Sequence, residues 1–251
     1  MLAGRPVWQS EKPLADWLKV RYRWGMKKIV LANQKGGCGK STLAVHAAVW
    51  FHDQGFRVAV LDLDKQRSSS AWVAEAEPTI TVRVADTPEE CLSQATECAT
   101  LNEVLLIDAP GGLEDLSRTA LLLADLALFP ITPSILDLRS VQGATSILRF
   151  AQQINGGRPE GRLILNRMKS RETISRELKG ASQELGLHVA EHVIRDLQAY
   201  RDAAQQGTVV TRMRTKANGA ASDTSALFEE LFGDMAASVM RERQIQEVGN
   251  G

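Results

Sequence analysis

The stretch IVLANQKGGCGKST, residues 29–42, runs from a β-branched apolar segment through a glycine-rich turn into residues that favour a helix. A strand, a glycine turn and a helix in that order form a recognised phosphate cradle. Glycines let successive backbone N–H groups curl around phosphate oxygens, and the helix N-terminus adds a favourable dipole. In this reading Gly36, Gly37, Cys38 and Gly39 supply main-chain donors, and Lys40 reaches the β- and γ-phosphates. Ser41 offers its hydroxyl to Mg²⁺, and Thr42 is placed to donate to the α-phosphate. The ligand expected is ATP with Mg²⁺.

Outward from this segment, short β-branched runs alternate with longer helical patterns, the sequence form of repeated βαβ units. Strands are expected at 29–33, 57–62, 80–84, 104–108, 126–131 and 163–166, several of them apolar almost without alternation. Such runs suit a parallel sheet covered on both faces. Helices are expected at 41–54, 88–101 and 134–155, with Gly55 and Gly156 at C-cap positions, and an amphipathic helix at 222–243 that packs on the sheet. The fold class expected is α/β, a mainly parallel twisted sheet with helices on both faces, as in P-loop NTPases. One domain spans 26–243 and a polar tail spans 244–251. Residues 1–25 hold Trp8, Trp17 and Trp24 and lead into the basic junction Lys19, Arg21, Arg23, Lys27 and Lys28. They read either as an interfacial or partner-binding helix or as an extension upstream of a functional start at Met26.

The loop departs from the ordinary Walker A spacing, because Gln34 stands where the first glycine belongs and Lys35 follows it. KGGxGK[ST] resembles the deviant Walker A motif of the ParA/MinD family of ATPases. The resemblance implies that Lys35 is a signature lysine reaching across a nucleotide-sandwich homodimer to the partner's phosphates, neutralising charge that develops in phosphoryl transfer. VLDLDKQ, residues 60–66, resembles the family's DxD element. By that likeness Asp62 holds Mg²⁺ through its waters and Asp64 orients or deprotonates the attacking water. Lys65 replaces the family's usual proline, which loosens the backbone leaving Asp64. VLLIDAPGG, residues 104–112, has Walker B form: Asp108 ends an apolar strand and would accept from Ser41 and a Mg²⁺-bound water. Gly111 and Gly112 read equally as a γ-phosphate sensor or as a plain turn.

Further along, FPITPSILDL, with Pro130, Pro133 and Asp137, resembles the segment after the family's fifth strand. LILNR puts Asn166 where relatives contact adenine, although a helix cap or buried amide explains an asparagine there as well. Ile194–Gly207 resembles the segment before the family's last helix. The family likeness also implies non-specific DNA binding by the ATP-bound dimer. The candidate contacts are Arg195, Arg201, Arg212, Arg214 and Lys216, which locally outnumber Asp196 and Asp202. A ParB-like or cargo-adaptor protein would stimulate slow hydrolysis, in the service of segregating or positioning a plasmid, a chromosome region or a large assembly. The expected location is cytoplasmic, on the nucleoid when ATP is bound. The alternatives are a MinD-like membrane-associated ATPase, which needs an amphipathic C-terminal anchor, and a metabolic enzyme of the same fold.

Composition narrows the field further. Lys and Arg total 30 against 30 Asp and Glu, so net charge argues for neither nucleic acid nor membrane. Cys38, Cys91 and Cys98 make no metal spacing and no even disulfide set, which fits a reducing compartment. The paired cysteines of an iron–sulfur reductase are not offered by Cys91 and Cys98, which read as small buried hydrophobes. The most apolar stretch, 120–129, is broken by Asp125 and is far shorter than the roughly 20 residues a spanning helix needs. A spanning helix is therefore not expected, and the tryptophan-bearing N-terminus keeps a peripheral membrane role as an alternative.

Overall fold

The chain, a computed structural model, is described over residues 26–112, 115–132, 135–169, 187–213 and 215–249; for 135–142, 144 and 242–249 only the backbone is described. The expectations for residues 1–25, Pro133 and Arg214 lie outside the described residues. In chain order the elements are β1 Lys27–Leu31, α1 Lys40–Asp53, β2 Val58–Asp62, α2 Ser68–Ala76, β3 Thr81–Val84, α3 Pro88–Cys98, β4 Val104–Asp108 and α4 Asp115–Leu123. There follow β5 Leu126–Ile131, α5 Ile135–Ile154, β6 Glu160–Leu165, β7 His188–Val189, α6 Gln198–Gln205 and α7 Asn218–Gly249, with 3₁₀ turns at Val210–Arg212 and Thr215–Ala217.

The seven strands form one sheet in the order β3-β2-β4-β1-β5-β6-β7, and every pairing is parallel. The carboxyl ends of β1, β2 and β4 therefore open on one edge, where ligands of open α/β sheets bind. Strands β2, β4 and β5 are buried at every residue. Their side chains divide between two cores. Leu61, Ile107 and Phe129 face Cys91 and Cys98 of α3, Leu121 of α4 and Leu148 of α5. Val60, Leu106 and Leu128 face Phe51 of α1 and Phe228 and Phe232 of α7. Both faces are thus covered, which is why the strands read as unbroken apolar runs.

Local chemistry explains several helix ends. Thr87 caps α3 by accepting from the Glu90 N–H at 3.2 Å, with Pro88 in the first turn. Gly55 follows α1 at φ +84°, a left-handed stop open to glycine. Helix α1 is buried almost throughout, from Leu43 to Phe51, so it lacks a polar face. The last helix is longer than its apolar pattern suggests, beginning at Asn218 and continuing to Gly249. Glu, Gln and Arg propagate a helix without any apolar stripe. Its packing on the sheet is as expected: Phe51 and Phe232 lie 4.9 Å apart by ring centroid, and Phe228 and Phe232 5.4 Å. Such offset pairs add about 0.5–1.5 kcal/mol beyond area burial. The free cysteines are buried, and burial pushes the Cys91 thiol up to about 12, leaving it inert.

One buried polar residue ties the start of α1 to the C-terminal third of the chain. His46 is 2% exposed; its Nδ1 lies 2.7 Å from the Thr42 carbonyl oxygen, and the Val210 N–H donates to Nε2 at 3.2 Å. Those partners require the neutral Nδ1–H tautomer. Burial pushes the imidazole down to about 4, with the Thr42 bond opposing it. A folded-state value below the unfolded 6.5 means that the unfolded chain takes up the proton first, so stability is lost as pH falls from about 6.5 towards 4. At about 1.4 kcal/mol per pH unit, wild type should lose about 2–3 kcal/mol more than His46→Gln between pH 7 and 4.5 in urea unfolding. Equal losses would show that His46 does not carry the acid sensitivity.

Candidate nucleotide and cation site

The loop after β1 is held in place before any ligand is considered. Asn33 is buried, donates from Nδ2 to the Pro130 carbonyl at 2.7 Å at the end of β5, and accepts the Lys35 N–H at 3.0 Å. Lys40 is 6% exposed, and its ammonium donates to the carbonyls of Asn33 and Lys35, both at 3.3 Å, across the loop's concave side. Cys38 turns its thiol inward to the Lys35 carbonyl at 3.3 Å, so what it offers a phosphate is its main chain. Gly36, Gly37 and Lys35 are exposed, while Ser41 and Thr42 are half-buried in the first turn of α1. Gly39 precedes α1 at φ +99°, in left-handed geometry.

Asp62 and Asp108 are register partners at the ends of β2 and β4, so the two carboxylates sit side by side. Asp62 is fully buried and accepts from the N–H of Asp64 at 3.0 Å and of Ser70 at 2.9 Å, which anchors the start of α2. Asp108 is 1% exposed, and neither of its oxygens has a hydrogen-bond partner. Burial pushes its carboxyl up to about 6. The hydroxyls of Ser41 and Ser69 and the Lys40 ammonium pull it down from nearby, and Asp62 pushes it further up. Neither hydroxyl reaches it in good hydrogen-bonding geometry.

A buried pair of carboxylates beside two hydroxyls is an all-oxygen set that fits a hard divalent cation. Among the described residues no cluster of three or more His, Cys, Asp or Glu could hold a metal. Mg²⁺ takes one or two carboxylates and completes its shell with water and substrate phosphate, and the Asp62–Asp108 pair is a donor set of that kind.

Asp64 sits at the mouth of an open cleft of about 380 Å³ that it lines with Lys65, Pro110 and Gly111. Its Oδ1 accepts the Gln66 N–H at 2.9 Å. The loop after β4 lies over the phosphate loop: a Cβ on Gly111 would come 3.7 Å from the Gly36 nitrogen. The loosening expected from Lys65 is countered by Arg67, which has φ +54° and donates to the Asp62 carbonyl at 2.8 Å while pairing with Asp86. The strained backbone at Arg67 is over-determined by these bonds.

Asn166 is 4% exposed and faces the loop from the other side. Its Nδ2 donates to the Cys38 carbonyl at 2.7 Å and its Oδ1 accepts the Arg167 N–H at 3.0 Å. Asn166 is thus a buried amide that braces the loop at Cys38. It also lines a cleft of about 210 Å³ with Thr42, Arg167, Asp196, Tyr200 and Arg201, beside the first turn of α1.

Three of the basic residues offered as DNA contacts are already ion-paired. Arg195 and Arg201 line that cleft. Arg195 pairs with Asp223 at 2.7 Å, Arg201 with Asp196 at 3.2 Å, and Arg212 with Asp53 at 2.6 Å and Glu77 at 2.9 Å. Lys216 is exposed. The local excess of positive charge counted along the sequence is cancelled by Asp53, Glu77 and Asp223, which folding brings in from elsewhere.

His46, Arg67 and Ser69 were not singled out by sequence reasoning. The run Ser68–Ser70 that follows Asp62 and Asp64 is of a residue type that favours helix starts, a signal that could have marked Ser69. Nothing local marks His46, whose partner Val210 lies 164 residues on, or Arg67, whose partners Asp62 and Asp86 lie 5 and 19 residues away.

Known proteins agree with this geometry. The profile of the family described as "CobQ/CobB/MinD/ParA nucleotide binding domain" matches residues 29–210. The chain is 27% identical to the maintenance of carboxysome distribution protein A of Halothiobacillus neapolitanus, over 81% of this chain and 95% of the relative. It is 28% identical to a protein ParA of Rhizobium radiobacter, over 76% of this chain and 88% of that one. In fold it is similar to McdA of Cyanothece, solved as an ATP complex, with TM-score 0.64 and 16% identity over 83% of this chain and 97% of that one. The phosphate loop after the central strand, the carboxylates at the same sheet edge and a match across most of the chain lead to one conclusion: the chain belongs to the CobQ/CobB/MinD/ParA family of nucleotide-binding domains.

Proposed function

We propose that this protein is a ParA-type positioning ATPase whose ATP-bound form is a sandwich homodimer that holds DNA without sequence preference. The observation that carries the reading is the division of labour between the loop's two lysines. Lys40 is buried under the loop, whereas Lys35 is exposed on it. In this reading a single subunit uses the first to hold its own phosphates, and the second, on the exposed side of the loop, serves a second copy's nucleotide.

In this reading residues 26–243 are the ATPase domain. Main-chain N–H groups of Gly36–Gly39 and the side chain of Lys40 hold the phosphates, Thr42 assists, and Ser41, Asp62 and Asp108 hold the cation directly or through water. Bound Mg²⁺ supplies charge neutralisation of the transferring phosphoryl group. Asp64 orients the attacking water in the cleft it shares with Gly111, and Lys35 of the partner subunit stabilises charge developing in transfer. A ParB-like or cargo-adaptor protein stimulates release. The protein works in the cytoplasm and on the nucleoid. The relatives named above, a ParA and a carboxysome distribution protein, support this class of role. No helix among the described residues is long and apolar enough to cross a membrane.

DNA contact is assigned to Arg195, Arg201, Arg212, Arg214 and Lys216 of both subunits. Because Arg195, Arg201 and Arg212 are already ion-paired, each contact exchanges a carboxylate for a phosphate, so affinity should be modest and steeply salt-dependent. The test is DNA retention with ADP, ATP and a non-hydrolysable ATP analogue over a salt series, for wild type and Lys35→Ala. Wild type should retain DNA and double its mass only with ATP or the analogue, and Lys35→Ala should lose both while still binding ATP. Nucleotide-independent retention, or none, favours a metabolic enzyme of the same family.

A further inference from the structure

Ser69 is the second residue of α2, and it does not behave as a helix-start serine. Its neighbour Ser70 turns its hydroxyl back to the Arg67 carbonyl at 2.9 Å, the ordinary local bond of such a position. Ser69 instead is fully buried, and its hydroxyl has no hydrogen-bond partner. A buried hydroxyl left without a partner is destabilising, so alanine would be the more stable choice if packing alone set this position.

Beside it lies the other unpartnered buried group of the site, the Asp108 carboxylate, on which the Ser69 hydroxyl already acts electrostatically. The neighbouring carboxylate, Asp62, is by contrast fixed by the N–H groups of Asp64 and Ser70, and the second of these is the residue after Ser69. Helix α2 is therefore docked on Asp62 through its main chain, and Asp62 is the register partner of Asp108, so this docking fixes Ser69 close to that carboxylate. A hydroxyl can donate to one carboxylate oxygen while its lone pairs accept from a cation-bound water.

We infer that Ser69 is a further positioning residue of the divalent-cation site, donating to Asp108 so that this carboxylate is held turned towards the cation. The inference rests on the nucleotide–Mg²⁺ reading of the site. It links the segment following Asp62 and Asp64 to the Walker B strand: a cation bound at Asp108 tightens the start of α2, and displacement of α2 loosens the cation.

Such supporting partners change metal affinity by roughly 10–100-fold when removed. The test uses the whole protein and Mg²⁺ itself. ADP affinity is first measured in chelator without metal, then Mg²⁺ is titrated into the ADP-loaded protein by calorimetry, for wild type and Ser69→Ala. Thermal unfolding of the nucleotide-free proteins is recorded in parallel. Ser69→Ala is expected to weaken Mg²⁺ by about tenfold, to leave metal-free ADP affinity unchanged, and to leave the nucleotide-free melting temperature unchanged or raised.

Mg²⁺ affinity equal to wild type would overturn the inference. So would weaker Mg²⁺ binding accompanied by a lower melting temperature and weaker metal-free ADP binding, which marks a residue that merely supports the fold. Wild-type protein that binds no ADP would instead overturn the nucleotide reading, and this inference with it.

Discussion

Replacing Lys40 by alanine should weaken ATP binding by a hundredfold or more while leaving the sheet intact. The ammonium is buried and already bridges two carbonyls of the loop, Asn33 and Lys35. It therefore shapes the empty cradle as well as answering the charge of its ligand. Charge-assisted hydrogen bonds contribute about 1.5–3 kcal/mol each. Two such bonds to phosphate correspond to roughly 10²–10⁴ in affinity at about 1.4 kcal/mol per tenfold. Calorimetric titration with ATP reads the change directly. An affinity within threefold of wild type would sink the assignment of this loop to phosphate, because no other cation is buried under it among the described residues.

Gly39→Ala should be nearly as damaging and for a different reason. The backbone is left-handed at φ +99°, and a Cβ there would lie 2.1 Å from Asn166 Nδ2. Asn166 has nowhere to withdraw without giving up its bonds to the Cys38 carbonyl and the Arg167 N–H. Left-handed strain of about 1–2 kcal/mol and a buried hydrogen bond worth about 1–3 kcal/mol when broken predict a destabilisation of about 2–5 kcal/mol. ATP affinity should fall with it, since the loop's N–H groups lose their common direction. Urea unfolding of Gly39→Ala, Asn166→Ala and the double variant separates the two causes. The double variant should cost less than the sum of the singles, because removing the Asn166 amide removes the clash but not the strain. Strict additivity would mean that the loop and Asn166 are not in contact.

The same pair of residues shows where reading the chain as a string stops. Glycines, Lys40 and Ser41 announce a phosphate loop because the relevant geometry is made by neighbours: a strand feeding a turn feeding a helix. The strands at 58–62, 104–108 and 126–131 were legible for a related reason, since burial on both faces leaves an apolar run that no surface helix produces. Helices α2 and α4 are each nine residues long and carry mixed patterns, and the two-residue strand β7 carries none, so each escaped notice. Helix α7 was found by its phenylalanines and its length was underestimated, because its far end is polar.

The charged residues make the point most sharply. Along the chain Arg212 belongs to a basic cluster; in the fold it closes on Asp53, 159 residues away, and on Glu77. Arg195 does the same with Asp223 at the start of α7. No periodicity encodes such pairings, because they depend on which helices cover which face of the sheet.

By itself the sequence determined the class of fold, the phosphate loop and the acidic residues at the strand ends, all of which follow from propensities and hydrogen-bonding demands that act within a dozen residues. Only the tertiary structure decided that Asn166 braces Cys38, that His46 is a neutral link to Val210, that three of the arginines are ion-paired and that the Ser69 hydroxyl and the Asp108 carboxylate are buried without hydrogen-bond partners. Those contacts are set by the strand order β3-β2-β4-β1-β5-β6-β7, which brings distant segments to one edge. Burial there makes each polar group dependent on whichever partner the topology supplies.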